Sequence, residues 1–486
     1  APLLNGCRLT IGDKASYLGL ILDRKLSWKQ NLDARVKKAA TALYTCKRMV
    51  GPKWGLTPRV AYWLYTAVVR PIMTYGILVW WPVMEKKYAV KRMESIQRAA
   101  SICISGALRT TPSQALNVIL HLLPTDLFCK QVAAKSALRL RESSQLVACN
   151  KGHSRILSIF PFLPKTTDFH NPIERKLNSV HNIAFPTREE WKRGEVDRNT
   201  GISIYTDGSK LDHRVGGGVF CATLNTNIAF RLPDHCSVFQ AEITAIKESL
   251  VVLTKSVLTT RSIYIYTDSQ AALKSLKSPM VSSKLVKECL DLLEDLTSYF
   301  TINLQWVPGH SDIPGNCEAD ELARIGTTLQ LTSEKEGIFM PLATCKHLIS
   351  EHVINIAESR WRQSITCSTS RLTWQEWSVS RTNRLLKFKR NDIRTLIGVL
   401  TGHCLIGRHA SRLGVPYNDY CRSCQEVEEE ETVKHLLCEC TALYRKRIAT
   451  IGRGFLDDVS EVAQIKLFVL MKFIRSTGWF REEPIE

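Results

Sequence analysis

No apolar run in this chain approaches the roughly 18 to 20 residues that cross a bilayer, so no transmembrane helix and no membrane partner is expected. The longest candidate, Tyr75 to Met84, is short and aromatic and reads as a buried element. A basic-then-apolar leader is missing as well, and the first residue is alanine, which suggests a fragment of a longer reading frame. Acidic residues are comparatively few: 46 stand against 66 Lys and Arg, a formal net charge of +20. Such an excess draws polyanions and makes their binding salt-dependent, although a basic surface can also serve solubility alone. Internal repeats are absent, and the only low-complexity tract is the acidic run Glu428 to Glu431, which reads as a solvated loop.

Cysteine is not scarce. The sixteen cysteines are mostly solitary within apolar helical patterns, so free thiols in a reducing compartment are expected. That places the protein inside the cell, in nucleus or cytoplasm, and not in the secreted class.

A chain of 486 residues should hold two to four domains. Residues 1–145 alternate short apolar runs with basic amphipathic helices, such as Asn31 to Val50 and Lys91 to Ile104. Residues 146–199 are weakly patterned and broken by Pro161, Pro164, Pro172 and Pro186, a linker or irregular wrap. Residues 200–330 switch to strand-like alternation and then to strand and helix in turn, and residues 331–486 return to helical periodicity.

The central segment carries the chemistry. In Gly201-Ile-Ser-Ile-Tyr-Thr-Asp-Gly-Ser-Lys210, Ile202, Ile204 and Thr206 face one side of a strand, with Asp207 at the end where Gly208-Ser209 halts it. Val215 to Leu224 and Asn225 to Leu232 read as a hairpin. A helix follows, with Phe239, Ile243, Ile246, Leu250 and Leu253 on one face and Glu242 at its edge. Ser262 to Asp268 repeats the strand ending in aspartate, here followed by Ser269. A strand, a helical crossover and a second strand lie parallel in one sheet, which brings Asp207 and Asp268 to its carboxyl edge. A second crossover, Ser282 to Leu296, leads to the strand Thr301 to Val307, and a helix beginning near Asn316 carries Asp320.

A lone aspartate at a strand end is ordinarily a turn residue, and a lone glutamate on a helix edge is ordinarily solvated. Four carboxylates converging from separate elements repel one another unless a cation neutralises them. Oxygen ligands at an open edge suit Mg²⁺ or Mn²⁺, and a pair of such ions can activate water on a phosphodiester.

Tyr205-Thr-Asp-Gly-Ser-Lys210, Phe239-Gln-Ala-Glu242, Tyr266-Thr-Asp-Ser-Gln-Ala-Ala-Leu273, Trp306-Val-Pro-Gly-His310, Gly315-Asn316 and Ala319-Asp-Glu-Leu-Ala323 together resemble the type 1 ribonuclease H family in identity, order and spacing. The resemblance implies an α/β ribonuclease H-like domain, a mixed five-stranded sheet with flanking helices, that cuts the RNA strand of RNA/DNA hybrids. It implies ligation of two Mg²⁺ or Mn²⁺ ions by Asp207, Glu242, Asp268 and Asp320, a mobile-loop role for His310, and Gly208, Ser209, Ser269 and Asn316 against the substrate. His310 can also be a turn histidine without a role. Where the family has glutamate after the asparagine, this chain has Cys317, with Glu318 one later. Trp306 reads as core.

Upstream, Tyr17-Leu-Gly-Leu-Ile-Leu-Asp-Arg-Lys-Leu-Ser-Trp28 and Val69-Arg-Pro-Ile-Met-Thr-Tyr-Gly76 resemble the segment beyond the palm in reverse transcriptases of non-LTR retrotransposons, the insect Jockey- and I-like elements especially. Polymerisation needs paired aspartates on a palm hairpin, and nothing before residue 200 supplies them. Phe455-Leu-Asp-Asp458 imitates that pair inside a helical pattern and reads as a helix start.

Downstream, Cys421, Cys424, His435 and Cys440 have the spacing of a tetrahedral Zn²⁺ site, with Cys438 a competing fourth ligand and free thiols the alternative. The resemblance favours zinc, since many such polyproteins end in a knuckle preceded by a segment like Thr401-Gly-His403. Trp361, Trp374 and Trp377 should pack a small helical domain, with base stacking as their other use. The chain thus reads as a post-palm, thumb- or connection-like region (1–145), a linker (146–199), a ribonuclease H (200–330) and a helical zinc-knuckle domain (331–486). Its expected partners are nucleic acid, the hybrid above all, and upstream polymerase and endonuclease regions of the same polyprotein. The rival is a non-catalytic nucleic-acid-binding remnant of a decayed or host-adopted element.

Overall fold

The computed structural model describes every residue except 1, 2, 5, 9–11, 52, 53, 148–150, 176–181, 195, 197–200, 259, 310, 416–419, 426–428 and 481–486, and the side chains of 3, 4, 334 and 408. Two compact units emerge: Ala1–Ser136 with Asn150–Ile156 and Ile349–Glu486, and Ala137–Cys149 with Leu157–Leu348. The four stretches of differing sequence texture therefore fall into two units, with most of the first and last sharing one.

The second unit is built on a mixed sheet. Its elements are β1 (Phe169–Glu174), β2 (Asn182–Ala184), α1 (Arg188–Arg193), β3 (Ile202–Leu211), β4 (Arg214–Cys221), β5 (Thr226–Leu232) and α2 (Val238–Lys255). They continue as β6 (Ser262–Thr267), α3 (Gln270–Lys277), β7 (Met280–Ser283), α4 (Lys284–Leu296), β8 (Thr301–Trp306) and α5 (Pro314–Thr328). The strand order is β2-β8-β6-β3-β4-β5. The first four strands run parallel, and β4 and β5 fold back antiparallel.

Alternation is visible in burial. Ile202, Ile204 and Thr206 are buried on β3, Ile263 and Ile265 on β6, and Ile302 and Leu304 on β8. Helix α2 starts at a capping box between Ser237 and Gln240 and buries Ile243, Ile246, Leu250 and Leu253 as its period requires, with Phe239 only partly covered. Helix α4 buries Leu285, Val286, Cys289, Leu290, Leu293 and Leu296 on one face.

Two expectations change here. The sheet has six strands, because Asn182–Ala184 pairs with β8. Strand β3 does not halt at Gly208. It runs on to Leu211 and turns into β4 through Asp212 and His213, both at positive φ (46° and 68°), the backbone of a two-residue hairpin turn. What does end at Thr206 is the parallel pairing with β6, so Asp207 still stands just beyond a parallel edge.

Part of the segment expected as a linker or irregular wrap is ordered against the sheet unit. Strand β1 pairs with β7, and the buried Asp168 carboxylate accepts from the Leu285 N–H (3.0 Å) and the Ser283 hydroxyl (2.7 Å). Pro172 lies within β1 itself, tolerated because the two-stranded ribbon leaves it an open side. Trp191 of α1 donates its indole N–H to the Trp306 carbonyl at 3.1 Å.

The other unit is mainly helical. Of the run Tyr75 to Met84, the part from Ile77 onward is largely buried as expected, with Trp80 and Trp81 fully covered, while Tyr75 is exposed. The last segment shares a core with the first: buried Arg390 donates to the carbonyls of Leu56 (2.6 Å) and Cys103 (3.0 Å), and Thr382 to that of Ile119 (2.8 Å). Trp361, Trp374 and Trp377 are buried. Asp458 caps the short helix Val459–Ala463 through a capping box with Glu461, which accounts for the Phe455–Asp458 imitation. Among the described residues the cysteines are free thiols, and no single helix is long and apolar enough to cross a membrane.

Candidate active site and metal centres

Asp207, Glu242 and Asp268 come together with carboxylate oxygens all within 4.8 Å of one another. Strand β3 delivers the first, the opening turn of α2 the second, and the end of β6 the third. The approach depends on Gly208: a Cβ there would stand 2.7 Å from the Glu242 backbone nitrogen and 2.9 Å from the Ala241 methyl. Glu242 is buried, and Thr267 donates to it at 3.4 Å. Asp268 is anchored through its carbonyl, which accepts from the Trp306 indole at 2.9 Å, and Gly309 lies directly against its carboxylate.

Like charges in a poorly hydrated site resist ionisation. Burial, then the Asp268 and Asp320 charges, push the Asp207 carboxyl up to about 7. Burial, then Asp207 and Asp268, hold Glu242 well above the ordinary carboxylate range. No lysine or arginine pairs with Asp207 or Glu242 among the described salt bridges. A hard divalent cation with oxygen ligands would supply the missing charge, so the donor set fits Mg²⁺ or Mn²⁺.

Asp320 does not join the trio. It sits on α5, close enough for its charge to act on Asp207, and its Oδ2 accepts from Arg324 at 2.7 Å. Sequence reasoning missed Arg324, although its i+4 spacing from an acidic residue on a helix is a usable signal. It also read Gly216, Gly217 and Gly218 only as the opening of a strand. A Cβ on Gly218 would lie 2.3 Å from the Ala319 carbonyl, and one on Gly216 2.7 Å from that of Ala323, so α5 rests on bare backbone.

The residues expected against substrate are dispersed in role. Ser209 pairs with Gly216 across the hairpin. Ser269 caps α3, accepting from the Ala272 N–H at 3.3 Å. Asn316 is buried with its Oδ1 lacking a partner. Cys317 is exposed, its thiol 3.6 Å from the Ser311 carbonyl. His310 lies outside the described residues.

A second cluster gathers Cys421, Cys424, His435 and Cys440, again with ligand atoms within 4.8 Å. Cys421 Sγ and Cys440 Sγ are 3.7 Å apart, and Cys424 Sγ is 3.4 Å from His435 Nε2. A tetrahedron with bonds of about 2.3 Å has sulfur–sulfur edges of about 3.8 Å, so the set fits zinc. The spacing works because His435–Glu439 is a π turn: the Cys440 N–H bonds to the His435 carbonyl (2.8 Å), bringing a residue five positions on to the same side. Cys438 is buried but outside the cluster.

The acidic run is not simply a solvated loop. Glu431 is fully buried, taking Arg422 at 2.6 and 2.8 Å and the Gly407 N–H at 3.0 Å. The Glu429 carboxylate lies 3.1 Å from His435 Nδ1, where an outer-shell partner of a metal-binding histidine belongs. Neither was legible from a charge run, because burial of one glutamate depends on the fold that turns Arg422, nine residues earlier, back onto it.

The family described as RNase H matches residues 199–328. The chain is 30% identical over 136 residues to the "Retrovirus-related Pol polyprotein from type-1 retrotransposable element R1" of Nasonia vitripennis, covering 27% of this chain and 40% of that protein. It is 25% identical over 138 residues to the "Putative 115 kDa protein in type-1 retrotransposable element R1DM" of Drosophila melanogaster, covering 28% and 13%. Against the "Probable RNA-directed DNA polymerase from transposon BS" of the same fly it is 25% identical over 149 residues, covering 30% and 16%. The matches thus span well under half the length of these relatives.

Proposed function

We propose, from the premise that residues 199–328 are an RNase H domain within a retrotransposon protein, that this chain hydrolyses the RNA strand of RNA/DNA hybrids formed during reverse transcription. The observation that carries the proposal is the trio Asp207, Glu242 and Asp268, whose oxygens lie within 4.8 Å. These residues, with Asp320, would hold Mg²⁺ or Mn²⁺, which supplies Lewis acidity toward water and phosphate when bound.

The chain's own part is orientation. Thr267 restrains Glu242, Trp306 fixes the Asp268 main chain, and Gly208 permits the close approach of strand and helix. Water attacks phosphorus and the P–O3′ bond breaks, leaving 3′-hydroxyl and 5′-phosphate ends. Gly208, Ser209, Ser269 and Asn316 would lie near the scissile strand, with selection of RNA resting on 2′-hydroxyl contacts. His310 would help the proton and product depart.

The same proposal reads the first segment as post-palm and the Cys421, Cys424, His435, Cys440 cluster as a structural zinc knuckle. Both would serve a longer polyprotein that supplies polymerase and endonuclease regions and works inside the cell. The rival, a nucleic-acid-binding remnant without activity, draws support from Cys317 and from the engagement of Asp320 by Arg324. Incubating the chain with labelled hybrid and Mg²⁺, beside Asp207→Asn and Asp268→Asn, separates the two. Cleavage by the parent alone supports the nuclease. Binding without cleavage supports the remnant, and equal cleavage by all three points to another site.

A further inference from the structure

The fourth carboxylate is engaged elsewhere. Asp207, Glu242 and Asp268 share one locus, yet Asp320 is not in that group. Its Oδ2 accepts from Arg324 at 2.7 Å, and the same guanidinium reaches Glu321 at 3.9 Å. The backbone of α5 has little freedom to bring Asp320 closer. It lies on Gly216 and Gly218, where even a methyl group would collide with the Ala319 and Ala323 carbonyls. What can move is the Asp320 side chain, and its rotation is opposed by Arg324.

We propose that Arg324 is a positioning residue that latches Asp320 away from the trio, so that the more weakly held divalent ion binds only as the latch opens. The proposal rests on reading the trio as a divalent-ion site. The latch is built to be reversible. Both partners are solvent-accessible, with side chains 54% and 32% exposed, and an exposed i,i+4 pair on a helix changes an equilibrium by only about twofold. Arg324 also places a cation beside the site, which disfavours an incoming ion by a similar factor of about two through water. The two effects act in the same direction.

The test is Mn²⁺ binding to the full, zinc-loaded chain without nucleic acid, read by calorimetry. Arg324→Ala should tighten the weaker binding event by about three- to fivefold, and Arg324→Lys, which keeps the cation, should stay near the parent. In an Asp320→Asn background only the charge effect should remain, so Arg324→Ala should tighten binding by about twofold and no more. With hybrid present, Arg324→Ala should lower the Mg²⁺ concentration for half-maximal cleavage without changing KM. A Mn²⁺ event insensitive to Arg324, or weakened by its loss, overturns the latch alone. Absence of any Mn²⁺ event outside the zinc cluster overturns the site reading and the latch with it.

Discussion

Gly208 has no side chain at the point where α2 presents the Glu242 backbone nitrogen, 2.7 Å from where a Cβ would sit. The strand carrying one carboxylate can therefore lie against the helix turn carrying another. A single methyl group at this position must push β3 and α2 apart. Gly208→Ala should cost about 1–3 kcal/mol in stability, as overpacking does. It should reduce cleavage more than that loss explains, because ligand separation grows. Urea melts and Mn²⁺ titration of the same sample test this; a variant with normal metal affinity would show that the close approach has no part in ligation.

Asp207 ties stability to pH. Its carboxyl titrates at about 7 in the folded protein, against about 4 when unfolded. Below pH 4 both states hold the proton. Between pH 4 and 7 the unfolded chain releases it and the folded chain keeps it, so stability of the metal-free protein falls as pH rises; above 7 the penalty is complete. Asp207→Asn should reduce this slope, the remainder coming from buried Glu242, and be more stable than the parent at pH 8, by a few kcal/mol as an upper bound. Mg²⁺ should restore the parent at pH 8 and do little at pH 5, where protons compete. Denaturant midpoints at the two pH values, with and without Mg²⁺, check the sign.

Asp168 predicts that the folding unit is larger than its nuclease motifs. Its carboxylate and carbonyl accept from Leu285, Ser283 and Lys284, binding the 167–174 segment to the start of α4. Burial raises the Asp168 pKa even so, which subtracts from the gain. Asp168→Ala should lower stability by about 1–3 kcal/mol, and a fragment limited to 199–328 should melt below one spanning 157–348. Equal melting of the two fragments would remove the wrap from the domain.

What the sequence disclosed and what it hid divide along the range of the interactions. Asp207, Asp268 and Glu242 were legible because each sits at a fixed phase of a local pattern, at the end of an alternating run or on the margin of a 3.6-residue face. The wrap was not, since Asn182–Ala184 is three residues long and Pro172 reads as a break. Its pairing is set by partners more than a hundred residues away. The continuation of β3 past Gly208 was hidden for a like reason: only the facing glycines of β4 make room for α5. The position of Asp320 depends on one rotatable side chain and an arginine a turn later, which no spacing rule decides.

At the cysteine cluster the geometry favours Cys440 over Cys438. Cys440→Ser should abolish stoichiometric zinc, whereas Cys438→Ala should keep one zinc per chain and lose only packing, about 1–2 kcal/mol. Zinc content by chromophoric chelator after gel filtration decides between them, and the reverse pattern would exchange the two ligands.

Arg447 extends the argument to charge. It is fully buried and gives its donors to carbonyls, those of Gly454 (2.6 Å), Leu436 (3.2 Å) and Cys440. Carbonyl dipoles alone compensate a buried guanidinium poorly. Three thiolates, a neutral imidazole and a divalent ion carry a net charge of about −1, and this is the counter-charge Arg447 otherwise lacks. Before metal binds, burial pushes the Cys421 thiol up to about 12 and raises the Cys440 thiol as well, so these two thiols offer the arginine no charge. Arg447→Met should therefore harm the zinc-loaded protein more than the zinc-free one. Zinc affinity should fall by about tenfold, and uptake should need a higher pH because the thiolates lose a nearby cation. If the variant loses the same stability with and without zinc, Arg447 is a clamp on carbonyls and the charge coupling is absent.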